Sequence, residues 1–104
     1  MAFADNLKQL PSVAHLEALE LINAQGEVVA TLHNKPGQAG SLAVYSAVAE
    51  RFGAINTQAA QAALDIFAEH TADARQHPGH HPNIDRLLAL IDSGETLSVK
   101  RLPA

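Results

Sequence analysis

Cysteine and tryptophan are absent from the 104 residues, tyrosine and methionine occur once each, and phenylalanine occurs three times. Without cysteine there is no disulfide, no thiolate nucleophile and no Cys-based zinc site. Large apolar side chains are scarce too: of 49 hydrophobic residues, 20 are alanine, which adds helix propensity but little buried area. The expected helices are therefore thin and closely packed, with self-association as one way to complete burial. No basic stretch followed by an apolar run opens the chain, so a cleaved secretion signal is not expected. The longest apolar runs, such as "LLALI", are too short to span a bilayer. Seven Lys and Arg against eleven Asp and Glu give a formal charge of -4, and the basic residues form no stripe. A nucleic-acid surface is not expected, and a cytoplasmic location is.

What is present reads as alternating local signals. Phe3, Leu7 and Leu10 recur at helical spacing until Pro11 stops them. Val28, Ala30 and Leu32 alternate with Val29, Thr31 and His33, and "NAQG" supplies the turn of a hairpin over about residues 17–33. After the loop "NKPGQAGS", Leu42, Tyr45, Ala49 and Phe52 share one helical face that Gly53 closes. Thr57 is the expected N-cap of a second long helix, with Ala60, Ala63, Leu64, Phe67 and Ala74 carrying its stripe down to Gln76 or His77. Pro78 stops it. Ile84, Leu87, Leu88 and Ile91 mark a third helix starting near Asn83, and "TLSVKRL" alternates as a half-exposed strand. The expectation is one α+β domain over residues 1–104. Its order is α-β-β-α-α-α-β: a small antiparallel sheet (hairpin plus C-terminal strand) with about three helices on one face.

Two constellations carry chemistry. The first is "EHTADARQHPGHHPNIDR", which holds four of the six histidines. His70, Asp73 and His77 project from one side of a helix, and the Pro78-Gly79 turn folds His80 or His81 back towards them. Asp73, His77, one of His80 or His81, and Asp85 make a candidate set for Zn²⁺ or a similar divalent metal. His70 and His77 would lie roughly 10 Å apart along the axis, too far to share one ion. The plainer reading is that His70 finishes the apolar stripe, Asn83 caps a helix whose dipole Asp85 complements, and His80 and His81 are solvated.

The second constellation is the loop with Asn34, Lys35, Gly37, Gly40 and Ser41, followed on the helix by Tyr45. Amides at a helix start beside glycine can hold a phosphate or carboxylate. The spacing matches neither a P-loop nor a dinucleotide fingerprint, and Pro-Gly is also an ordinary turn. If the first two long helices run antiparallel, both constellations meet at one rim. The leading expectation is then a binding module for a small anionic metabolite, with a divalent metal as an addition. Against it stands a self-associating structural domain that uses its Ala-rich helices and a free hairpin edge. An enzyme with His70 as base and Asp73 as its orienting partner ranks third.

In "NKPGQAGSLAVY" and "LDIFAEHTADARQHPGHHPNIDRLL" the chain resembles a small bacterial family known only as domain of unknown function 2322. The resemblance runs from "NLKQLPSVAHLEALEL" to the third helix. It implies a free-standing bacterial protein of about this length and no particular activity.

Overall fold

A computed structural model of the chain describes residues 2–104. The elements are α1 (Phe3–Leu7), β1 (Leu16–Ile22), β2 (Val28–His33), α2 (Ala39–Phe52), α3 (Thr57–Phe67), α4 (Glu69–Gln76), α5 (Pro82–Ser93) and β3 (Ser98–Pro103). The three strands form one antiparallel sheet in the order β2-β1-β3.

Register explains which face the helices cover. Leu19 lies opposite Leu32 and Arg101, and Leu21 opposite Ala30 and Val99. Leu19, Leu21 and Leu32 are almost wholly buried, each contributing about 2 kcal/mol, and they share a cluster with Leu42, Val48, Leu64, Ile84 and Leu87 from the helices. One residue over, Glu20 faces Thr31 and Lys100 on the opposite side of the sheet. The expected one-sided alternation is what the sheet has. Ala59, Ala60 and Ala63 are fully buried on α3, so the alanines serve close helix approach. Ile55, between α2 and α3, exchanges both backbone hydrogen bonds with Leu97 just before β3, which ties the helical layer to the sheet. No helix among the described residues is long and apolar enough to cross a membrane.

Two expectations need correcting. The α3 cap is Asn56 rather than Thr57: its side-chain oxygen accepts the Ala59 amide at 2.8 Å. The expected helix from Thr57 to Gln76 is also broken, at Ala68, whose φ of 52° and ψ of -115° end α3 and turn the chain into α4. Periodicity gave no sign of this, because Thr71 and Ala74 continue the buried stripe. Tertiary bonds hold the break. Thr71 Oγ1 donates to the Leu64 carbonyl at 2.7 Å, Asn6 Nδ2 to the Ile66 carbonyl at 3.0 Å, and the Phe3 amide to Glu69 Oε1 at 2.8 Å. The last two bonds come from α1, which is thereby stitched across the break.

A side chain at that φ costs about 1–3 kcal/mol, and glycine escapes most of it. Ala68→Gly is therefore expected to raise stability by about 1 kcal/mol after its entropy cost. In a domain of this size the melting temperature should climb by about 4–8 °C. Calorimetric melting checks it, and a fall in Tm would contradict the strain.

Candidate functional site

The loop after β2 is pinned before it reaches α2. Asn34 Nδ2 donates to the carbonyls of Val13 and Leu16, at 3.0 and 2.8 Å. Gln38, the N-cap of α2, spends its side chain on the His33 amide instead of capping its own helix. The Ala39 and Leu42 amides bond to the carbonyls of Lys35 and Gln38. The Gly40 and Ser41 amides meet no acceptor among the described residues and remain available at the positive end of a 14-residue helix. α1 rests on the first turn of α2 at Gly40, where a Cβ would meet the Phe3 ring at 3.4 Å, an ordinary van der Waals contact.

A second helix start faces the same place. The turn after α4 is closed by the Gly79 amide, which donates to Asp85 Oδ2 at 2.9 Å. Pro82 opens α5, so Asn83 lies inside the helix and, contrary to expectation, does not cap it. Its side-chain oxygen accepts from Arg86 Nη1, the Ile84 and Asp85 amides bond to the His81 carbonyl, and the Asn83 amide is left without an acceptor among the described residues. Tyr45 locks the two helices together from below. Its hydroxyl donates to the Asn83 carbonyl and accepts from Arg86 Nη1. Burial, partly opposed by the Arg86 charge, pushes the phenol up to about 12.

The histidines gather around Asp73. His81 Nε2 lies 2.6 Å from Asp73 Oδ2, with His80 Nδ1 at 3.8 Å and His77 Nε2 at 3.9 Å from its oxygens. The hydrogen bond from His81 holds the Asp73 carboxyl below its ordinary value, and the electrostatic influence of the nearby His77, His81 and His80 rings adds to that. An ionised Asp73 accepts, so the proton sits on His81 Nε2. The His77 and His80 rings stack at 5.0 Å, and the His70 ring lies between Phe3 at 5.1 Å and His81 at 5.3 Å.

These elements enclose a cleft of about 360 Å³. One wall is Gly37, Gly40 and Ser41; the other is His70, His80, His81, Pro82 and Asn83; Phe3, Phe67 and Ile84 supply apolar surface. No lining residue is a carboxylate. The cleft thus offers free amides from two helix starts, a hydroxyl and three imidazoles, which is the chemistry of an anion site.

The structure therefore brings Gly37, Gly40, Ser41, His70, His80 and His81 together at one rim. It leaves the six other expected residues outside the cleft lining. Asn34 clamps the loop, Lys35 contributes its backbone carbonyl, Tyr45 is wholly buried beneath the rim, and Asp85 is bonded to the Gly79 amide. Asp73 holds His81 rather than orienting His70, whose ring packs against Phe3 and His81, and His77 stacks on His80. Among the described residues no three His, Asp or Glu side chains are arranged to hold a metal ion. Phe3, Phe67, Pro82, Asn83 and Ile84 line the cleft without being expected there. Their sequence signals pointed to apolar helix faces and a helix start, and Pro82 at the first position of α5 marks that start.

No curated protein and no solved structure matches the chain. The family described as "Uncharacterized protein conserved in bacteria (DUF2322)" matches residues 3–101. With nearly its whole length matched, the chain belongs to that bacterial family.

Proposed function

We propose that the protein is a non-catalytic binding module for a small anionic metabolite, held in the cleft between α2, α5 and the histidines. The observation that carries this reading is the meeting of two uncapped helix starts and three imidazoles in a cleft with no lining carboxylate. A phosphate or carboxylate would accept from the Gly40, Ser41 and Asn83 amides, with the Ser41 hydroxyl beside them. The body of the ligand would lie on Phe3, Phe67 and Ile84, and about 360 Å³ suits a small metabolite. Asp73 acts behind the site by fixing the His81 ring and tautomer. A divalent ion is no part of this reading, because the Asp73 oxygen nearest the imidazoles is already committed to His81.

Binding to amide donors in a partly open cleft should weaken as salt screens the anion. Calorimetric titration with orthophosphate and with succinate at pH 6 tests this. Saturable binding that weakens in added salt is expected. No heat for either anion, or affinity unchanged by salt, would overturn the reading.

A further inference from the structure

The two edges of the sheet are treated differently. β3 carries Lys100, Arg101 and Pro103, the residues that discourage another strand from pairing. β2, at the other edge, reads Val-Val-Ala-Thr-Leu-His, with no proline and no carboxylate, lysine or arginine. Its first two residues, Val28 and Val29, are 50% and 49% exposed, and they are the exposed large hydrophobic residues among those described. Beside them opens a groove of about 480 Å³ walled by the apolar Val29, Ala89, Leu90 and Leu97 and by polar groups that include Arg86 and Glu95.

We propose that β2 pairs antiparallel with β2 of a second copy of this chain, joining two three-stranded sheets into one of six strands. Backbone direction fixes the register. The Asn34 amide points inward to the Glu17 carbonyl, while the His33 amide points outward to Gln38. By alternation Thr31 turns its N–H and C=O to the open edge. A two-fold axis at Thr31 pairs it with Thr31 of the partner subunit through two hydrogen bonds. Ala30 then lies opposite Leu32 of the partner subunit, so the helix-covered face continues across the junction. The same register brings the Glu27 end of each strand to the Lys35 end of the other, so unlike charges meet twice. Val28 and Val29 are covered, and the groove beside Val29 gives the partner's edge a recess.

The test is sedimentation equilibrium of the full chain over a concentration series, with folding checked by circular dichroism. A reversible monomer–dimer equilibrium is expected for the wild type. The double substitution Val28→Lys with Val29→Lys should leave a folded monomer, since both side chains are already half exposed. Glu27→Lys should weaken the dimer about fivefold to tenfold by setting like charges together twice, and adding Lys35→Glu should restore it. A wild-type monomer up to about 1 mM would overturn the proposal. So would a dimer indifferent to both lysines at the valine positions.

Discussion

Tyr45→Ala is expected to destabilise the protein by about 3–5 kcal/mol. The ring is wholly buried, and its hydroxyl is the only link described between α2 and the Asn83 carbonyl at the start of α5. Tyr45→Phe separates the two contributions: it keeps the ring but removes one donor to that carbonyl and an acceptor from Arg86, at a cost of about 1 kcal/mol. Alkaline pH gives a second signature. Because the folded phenol titrates at about 12 against an ordinary 10.0, its contribution is complete below pH 10 and is lost as pH rises towards 12. That rise is worth about 3 kcal/mol. Urea unfolding at pH 8 and pH 11 should therefore show the gap between wild type and Tyr45→Phe closing at the higher pH. A gap that stays constant would show that the hydroxyl is not held as described.

The second large effect concerns binding and has the opposite sign for stability. Ser41 is the third residue of α2, where a glutamate complements the helix start and adds about 0.3–1 kcal/mol. The same carboxylate would occupy the place of the proposed anion and repel its charge. Ser41→Glu is thus expected to melt no lower than wild type while losing at least about tenfold in orthophosphate affinity. Calorimetry on the two proteins reads both quantities. Wild-type affinity in a folded Ser41→Glu would remove the Ser41 amide and hydroxyl from the site.

The fold was largely legible because its signals are local and agree with each other. The period-two pattern through Leu19, Leu21, Ala30 and Leu32, the left-handed Gly53 and the stripe at Ile84, Leu87 and Leu88 each point to one structure. The break at Ala68 was not legible, because what holds it lies far away in sequence. Asn6, Phe3 and Thr71 satisfy groups that a continuous helix would have satisfied itself. The rim was legible as a neighbourhood, since a short connection between α2 and α3 implies antiparallel packing. The role of each residue there was not. Whether Tyr45 opens on the cleft or lies beneath it depends on a rotation about the α2 axis that spacing alone leaves open. Asp73 looked like a partner for His70 on its own helix, yet the Gly79 turn delivers His81 from the next element to within 2.6 Å.

The central claim is that two helix starts share one anion. Amide-resolved NMR during an orthophosphate titration at pH 6 tests it most directly. The account predicts that the Gly40, Ser41 and Asn83 resonances move together along one saturation curve, while the amides of β3 stay in place. Perturbations confined to a single helix start, or scattered over the surface without saturation, would contradict it.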